Sequence, residues 1–432
     1  MTIASASSRT FASLNRHRNY RLYFGGQVVS LTGTWMQNIA QAWFIIELTH
    51  GSAFAVGALA LCQFGPYALG GLFGGSLADR LNGRRALVFT QSASMLVAAA
   101  LAGLALTHSA QVWEVFLLAA ASGAVLILDT PVRQAFTIQM VGRAELPNAI
   151  ALNSSLFNAS RVFGPAVAGL LIATTGVGIC FLLNAISYIA VIAALVMMRD
   201  SELHPVDHGD VRPTLLRGVG EGLAYAWRTP SVRLVLGLML VISTLAINFN
   251  VLLPVLAAHT LASGPEVFGI VSAAFGGGAL VGALTSAALS RASLKVMLVG
   301  ALGFGASLLL LAPVTSVWLA CVLLVVTGFT FSLYGSQSNS SLQMVVPDRL
   351  RGRVLSLYGY VFFGTAPLGG LFTGWLCDGF GTWLYLIVAG GVSVAAAAGA
   401  VALVRVGRTA LPERTSRLGM GGADASTVTA RE

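Results

Sequence analysis

Few charged residues interrupt the long apolar segments of this chain, and these few could carry out charge chemistry away from water. Arg161 lies about 12 residues into an apolar run, about 18 Å deep at about 1.5 Å per residue. Charges in such surroundings are costly and indicate function. Arg161 is therefore either a structural cation, paired with a carboxylate or with backbone carbonyls, or a group that binds anions or senses protons. Asp129 could pair with Arg133, four residues along its own helix, or with Arg80 or Arg84 across a helix bundle.

The stretch GGSLADRLNGRR at 74–85 places an acid and three arginines between two apolar runs. Arginines alone would hold this loop in the cytoplasm, because cytoplasmic loops of membrane proteins are rich in basic residues. That reading accounts for Arg84 and Arg85 as topology anchors. It does not account for Asp79, so we expect this acid to make a specific contact.

The first apolar segment contains a polar stripe. Its members are spaced three and four residues apart, which places them on one helix face: Gln27, Ser30, Thr34, Asn38 and Gln41. Two asparagines lie in the seventh apolar segment, about 210 residues later. We predict a large, mostly apolar substrate cavity with a few amides; hydrogen bonds between helices are the alternative. The predicted cavity residues are Thr34, Asn38, Gln41, Asn248 and Asn250.

No carboxylate stands at the middle of an apolar segment. Glu47 follows the polar stripe and is our candidate, with Arg161, for proton or charge coupling; an exposed acid at the membrane rim is the alternative. The cysteines form no CxxC pair, and neither metal-ligand spacing nor a nucleophile–base pair is present. We therefore expect no metal, no cofactor and no enzymatic activity.

The segments that must position these groups are membrane helices. Apolar residues make up 56% of the chain and charged residues only 9%, against about 25% charged in soluble domains. The apolar blocks of about 20 residues suit helices that cross about 30 Å of hydrocarbon. They do not alternate as the strands of a membrane barrel would. We count twelve predicted spans.

The arginines test this count. With the N-terminus inside, every basic residue except Arg161 falls in a predicted cytoplasmic segment. The net charge of +9 is thereby explained by topology, and we expect no nucleic-acid partner. The predicted location is a bacterial inner membrane, with many spans and both termini in the cytoplasm.

The longest polar interruption divides the predicted spans six plus six, and LLRGVGEGLAYAWR within it predicts a short amphipathic helix on the cytoplasmic face. Loose repeats about 200 residues apart predict two pseudo-symmetric six-helix bundles with a substrate site at their interface. The predicted parts are an N-terminal cytoplasmic segment 1–20, a first bundle 21–198, a central loop 199–230, a second bundle 231–405 and a disordered cytoplasmic tail 406–432.

Twelve spans, the six-plus-six division and GGSLADRLNGRR resemble the major facilitator superfamily. FASLNRHRNYRLYFGGQVVSLTGTWMQNIAQAWFIIELT, LDTPVRQAF, LPNAIALNSSLFNASRVFGPAVAG and PDRLRGRVLSLYGYVFFGTAPLGG are similar to the drug:proton antiporter-type branch that includes the enterobactin exporter and macrolide efflux pumps. The resemblance implies an all-α integral membrane fold of twelve transmembrane helices. It covers nearly the whole chain before about residue 408.

The family's loop signature corresponds to Gly75, Asp79 and Arg80, whereas Asn82 and Gly83 depart from it. The resemblance implies that Asp79 accepts hydrogen bonds from the start of the eleventh span and latches the two bundles on the cytoplasmic side. It favours pairing of Asp129 with an arginine across the bundle. The resulting gating network comprises Gly75, Asp79, Arg80, Arg84, Asp129 and Arg133.

Gly164, Pro165 and Gly169 in the fifth span match part of the glycine pattern of proton antiporters, although close helix packing is the alternative explanation. We therefore predict a monomeric, bilayer-embedded carrier that exports small organic molecules, drug-like or siderophore-like, in exchange for protons by alternating access. An importer or uniporter of the same fold and a non-transporting sensor or assembly partner are the alternatives.

Overall fold

The computed structural model describes residues 12–78, 81–204, 215–289 and 292–405, which are almost entirely helical. The helices of the first half are α1 (Ala12–Arg16), α2 (Arg18–Leu48), α3 (Ala53–Ala78), α4 (Gly83–Leu106), α5 (Val112–Thr175) and α6 (Val177–Val196). Those of the second half are α7 (Leu215–Arg228), α8 (Pro230–Leu245), α9 (Phe249–Val255), α10 (Pro265–Ala288), α11 (Leu294–Leu311), α12 (Val317–Val345), α13 (Asp348–Gly364), α14 (Ala366–Phe380) and α15 (Thr382–Arg405).

Ten helical segments of the described chain are long and apolar enough to cross a bilayer. One of them is the 64-residue α5, which at about 1.5 Å per residue is about 96 Å long, three times the thickness of a bilayer core. The 31-residue α2 is not among the ten, because its polar stripe lowers its hydropathy. An all-helical membrane protein is confirmed, whereas the number twelve and the bundle boundaries stay predictions.

Helix α5 consists of two limbs, since Gly142 leaves helical geometry with φ 69° and ψ 173°. Along the first limb, Gly123 and then Ile127 pack against Gln63 and then Gly74 of α3, so this limb runs parallel to α3. Along the second limb, Asn153 and then Gly164 contact Tyr20 and then Trp35 of α2, so this limb runs parallel to α2. Because α2 and α3 are joined by a tight turn and lie antiparallel, the limbs run in opposite directions. The residues on both sides of Gly142 stay helical, and Phe136, Met140 and Val141 among them are buried in the core.

Glycine makes this break possible. A positive φ costs little without a Cβ, and the ring of His204 lies 3.2 Å from where a Cβ at Gly142 would stand. The turns now divide into two sets. We call one the His50 end, with turns at 49–52, 176, 261–264 and 381, and the other the Gly142 end, with turns at 81–82, 142 and 197–204. The His50 end corresponds to the predicted outer side, and the Gly142 end corresponds to the predicted cytoplasmic side.

The two halves of the chain pack closely at the His50 end. A Cβ on Gly57 of α3 would lie 2.6 Å from the carbonyl oxygen of Gly370 in α14. A Cβ on Gly169 of α5 would lie 2.5 Å from the Cα of Gly269 in α10. Trp43 adds a ring stacked on Phe268 at 5.7 Å between centroids. Small residues allow such close approach between membrane helices, so these contacts close this end.

The amphipathic segment predicted in the central loop forms a helix, α7, as expected. Glu221 pairs with Arg353 of α13, and Gly222 packs against Leu357. Leu223 and Trp227 are 56% and 70% exposed, which leaves an apolar face available for a membrane surface. The predicted segments before residue 12, within 205–214 and after 405 lie outside the described residues.

Candidate functional site

A buried ion pair lies within the first half of the chain. The Asp129 carboxylate accepts from Arg133 Nη2 at 2.6 Å and Nε at 3.1 Å. Its second oxygen accepts from Thr90 Oγ1 at 2.7 Å and Gln91 Nε2 at 2.8 Å. Because Asp129 is only 5% exposed, these four bonds replace the water that a free carboxylate would need. Arg133 also donates to Gln27 and so joins α5 to α2.

Pairing of Asp129 with Arg84 across the bundle is therefore wrong for this conformation. Arg84 donates to the carbonyl oxygens of Leu195 at 2.7 Å and Val196 at 2.6 Å, and pairs with Asp200 at 2.7 Å. It starts α4 beside the last turn of α6, where unpaired carbonyls and the negative end of the helix dipole attract a cation. Thr90 and Gln91, the α4 residues that bond Asp129, lie six and seven residues beyond Arg84. Arg133 reaches Asp129 from four residues along the same helix, α5.

The predicted latch rests on residues that the structure does not describe. Asp79 and Arg80 lie outside the described residues, and Gly75 lies in the last turn of α3. The latch and the wider gating network remain predictions.

A carboxylate of α14 caps the first turn of α3 at the His50 end. Asp378 of α14 accepts from the backbone N–H of Ala53 at 2.9 Å and from Ser52 Oγ at 3.4 Å. These donors belong to the first turn of α3, where free N–H groups and the positive dipole favour an anion. The contact crosses between the halves and stabilises the closed His50 end.

Asp378→Asn should loosen this closure. Loss of the charged cap is expected to cost about 1 kcal/mol, which changes an open-to-closed ratio about fivefold. Double electron–electron resonance between labels at Ser109→Cys and Ser316→Cys, one on each half, should show added population at longer distance. Glu114→Gln is the control, because Glu114 caps only its own helix through Gln111. An unchanged distance distribution in Asp378→Asn would exclude the proposed cap.

Between the halves lies a cavity with about 640 Å³ of empty space, a figure that includes open solvent. Both halves contribute polar groups and apolar walls. Its polar and aromatic lining includes Trp35, Asn38, Gln63, Arg161, Asn250 and Ser272.

Two of the five predicted cavity residues, Asn38 and Asn250, line this space. The other three lie elsewhere. Thr34 bonds to the carbonyl oxygen of Ser30 at 2.9 Å and contacts the Tyr188 hydroxyl. Gln41 is buried outside the lining. Asn248 donates to the carbonyl oxygen of Thr244 at 2.9 Å and packs against α14 at Gly369.

Arg161 of α5 reaches from the first half toward the second. Its guanidinium carbon lies 5.3 Å and 5.1 Å from the ring centroids of Phe275 and Phe331, and 5.8 Å from that of Trp35. No carboxylate of the described residues pairs with it. The structural ion pair expected as one explanation is therefore not formed among these residues, and stacking on aromatic rings takes its place.

The motif of Gly164, Pro165 and Gly169 contacts helices of both halves of the chain. A Cβ on Gly164 would lie 2.5 Å from Cβ of Trp35, so this glycine lets α2 pack on α5. Gly169 meets Gly269 of the other half, and Pro165 lines the cavity. Close packing accounts for both glycines, whether or not the motif also serves exchange of protons.

Glu47 lies at the exposed His50 end of α2. Its carboxylate accepts from Trp43 Nε1 at 2.8 Å. Because the Trp43 ring stacks on Phe268 of α10, the carboxylate is one side chain away from the contact between the halves. Glu47 itself does not line the cavity.

Sequence reasoning missed two polar lining residues. Gln63 donates from Nε2 to Asn38 Oδ1 at 3.0 Å, and a lone amide in the apolar run LALCQFGPYALGG could have indicated it. Ser272 is 3% exposed, and its hydroxyl has no hydrogen-bond partner in the described part of the chain. Serines are common in membrane helices, so its spacing alone gave no signal.

Comparison with known proteins agrees with this architecture. Residues 8–422 match the transmembrane secretion effector family. The chain is 28% identical to the multidrug efflux pump Tap of Mycolicibacterium fortuitum, over 81% of this chain and 87% of the pump. It is 26% identical to the staphyloferrin A transporter of Staphylococcus aureus, covering 84% and 90%. It is 27% identical to the enterobactin exporter EntS of Shigella boydii serotype 18, covering 83% and 86%.

Solved structures share the fold at low sequence identity. The nucleoside transporter NupG superimposes with a TM-score of 0.70 at 12% identity, covering 90% of this chain and 99% of that one. A POT family transporter in complex with 5-aminolevulinic acid gives 0.73 at 11%, covering 90% and 96%. The family match spans nearly the whole chain, and it agrees with the helical architecture. The chain therefore belongs to the transmembrane secretion effector family of the major facilitator superfamily, a group of multi-pass membrane transporters and not of enzymes.

Proposed function

We propose that this protein exports small organic molecules from the cytoplasm by alternating access, in exchange for protons. The observation that carries the proposal is the cavity between the halves, which is lined from both sides and closed at the His50 end by Gly57, Gly169 and Asp378. The relatives that carry out efflux of drugs or export of enterobactin support the direction. The chain contributes all of the described lining itself, and we propose that it works as a monomer.

The orientation follows from the basic residues. Arg84 lies in the first turn of α4 and Arg199 lies in the turn at 197–204, both at the Gly142 end, and basic residues accumulate on the cytoplasmic side. We place both termini in the cytoplasm of a bacterium. In this orientation the outer side is closed, which is the arrangement expected before a substrate is loaded from the cytoplasm.

Proton coupling is assigned to Glu47. The ionised carboxylate strengthens its hydrogen bond from Trp43, because charge-assisted bonds exceed neutral ones. Protonation weakens this bond and with it the stacking of Trp43 on Phe268. A proton from the outside would thereby favour opening of the His50 end.

Glu47→Gln should uncouple transport from the proton gradient. The substitution fixes the side chain in a neutral form, so the closed state loses its dependence on external pH. We expect efflux of a preloaded macrolide or of 2-naphthoate from intact cells to lose most of its acceleration by external acid. The control is Glu266→Gln, which changes a carboxylate in the first turn of α10 at the same end. Efflux by Glu47→Gln that keeps the full dependence on pH would exclude Glu47 as the coupling group.

A further inference from the structure

Arg161 is a cation placed in the cavity without a counter-ion. It lies 19 residues after Gly142 and 14 before Thr175, so at about 1.5 Å per residue it stands near the middle of its limb. It is the one charged side chain among the described residues that line the cavity. Taking a cation out of water costs several kcal/mol unless other groups compensate, and three aromatic rings compensate only in part.

The geometry leaves the hydrogen-bonding edge of this group unused. Ring faces attract the delocalised positive charge of a guanidinium, whereas its N–H groups point outward within the guanidinium plane and donate to acceptors there. The described residues provide no hydrogen-bond acceptor for Arg161. Its planar fork of donors matches the two oxygens of a carboxylate.

A second group in the cavity also lacks a partner. The buried hydroxyl of Ser272 has no hydrogen bond within the described chain, and Ser272 and Arg161 line the same space. Both side chains can therefore form hydrogen bonds to a ligand that enters this space.

The walls indicate what else the ligand carries. Phe249 stacks on Phe275 at 4.0 Å between centroids, and Phe268 stacks on Trp43. Both Phe249 and Phe268 line the cavity. Aromatic side chains pack favourably against planar rings in offset or edge-to-face arrangements. Asn38 and Asn250 leave room for one or two further hydrogen bonds.

We infer that the cavity binds an aromatic monocarboxylate, with the carboxylate on Arg161, a hydrogen bond to Ser272 and the ring against Phe249 and Phe268. One unpaired cation balances one negative charge, so a phosphate dianion would be undercompensated. A cationic amphiphile would face Arg161 without a counter-charge. This inference rests on the proposed function, for which it names the substrate class.

The test uses three probes with the same naphthalene ring: 2-naphthoate, neutral 2-naphthamide and cationic 2-naphthylmethylamine. Binding to the purified full-length protein is measured by calorimetry. We expect the carboxylate to bind at least about tenfold more tightly than the amide, as one charge-assisted pair supplies, and the amine to bind least. Arg161→Gln should abolish the preference for the carboxylate, whereas Arg161→Lys should keep part of it.

Arg233→Gln is the matched control, because Arg233 also lies over an aromatic ring, that of Trp227 at 6.0 Å, but at the exposed end of α8. The Arg233→Gln variant should prefer 2-naphthoate over 2-naphthamide as strongly as the unsubstituted protein does. Equal affinity for carboxylate and amide, or no binding of any probe, would overturn the inference even if Arg161→Gln failed to fold. Binding of 2-naphthoate without its transport would leave the inference standing and contradict the proposed function. Transport of 2-naphthamide by a protein that does not bind 2-naphthoate would contradict the inference and leave the proposed function standing.

Discussion

Gly169→Ala should open the His50 end of the protein. A Cβ at this position would lie 2.5 Å from the Cα of Gly269 and 3.1 Å from its nitrogen. Backbone atoms cannot move aside as a side-chain tip can, so overpacking here should cost about 1–3 kcal/mol. The contact joins the two halves at the closed His50 end, and we expect opening of this end to break it. The cost therefore falls on the closed state, and the ratio of open to closed should rise between about fivefold and 150-fold.

Spin labels at Ser109→Cys and Ser316→Cys report this change as a shift of the main distance population to longer values. Gly277→Ala in the same helix as Gly269 is the control, because nothing lies within 4 Å of its added Cβ. If Gly169→Ala keeps the distance distribution of the unsubstituted protein, the glycine contact does not hold this end closed.

Arg133→Leu should destabilise the fold more than any other single charge removal among the described residues. It leaves Asp129 buried with only Thr90 and Gln91 as donors. Breaking a buried pair in this way costs about 3 kcal/mol, at the low end of the usual range because the Arg133 side chain is 31% exposed. Thermal unfolding in detergent should show a clearly lowered midpoint.

The double variant Asp129→Asn with Arg133→Gln should recover much of this loss, since no unpaired charge remains. Arg199→Leu removes an exposed pair with Glu202 at 3.2 Å and should cost less than about 1 kcal/mol. Equal midpoints for Arg133→Leu and Arg199→Leu would show that the Asp129 pair contributes little to stability.

The membrane-spanning character of this chain could be predicted because it depends on composition and segment length. The hydrogen-bond partners of individual side chains were harder to predict, and the polar stripe on α2 is an example. Gln27, Thr34 and Asn38 share one helix face, yet they bond to Arg133 of α5, Tyr188 of α6 and Gln63 of α3. Packed helices cross at an angle, so one face meets a different neighbour at each depth. Spacing along the sequence gives the face and not the neighbour.

Arg84 illustrates the same limit for charges. The sequence shows that it lies near a turn, but its three acceptors come from residues 111 to 116 positions away. Two of these acceptors are backbone carbonyls at the end of α6. Every residue carries such a carbonyl, so the residue type does not indicate which one binds Arg84. Arg161 was easier to identify, because a charge in an apolar run is conspicuous whatever surrounds it. Its three aromatic neighbours come from three different helices and required the fold.

The central claim, proton-driven export through the cavity between the halves, is tested most directly in everted membrane vesicles, whose lumen corresponds to the cell exterior. Uptake of radiolabelled 2-naphthoate and of a macrolide is followed while respiration acidifies the lumen. At least one probe should accumulate in vesicles that contain the protein, lose that accumulation when a protonophore collapses the gradient, and fail to accumulate in vesicles that lack the protein. Accumulation that is indifferent to the protonophore, or equal in both kinds of vesicle, would contradict the account.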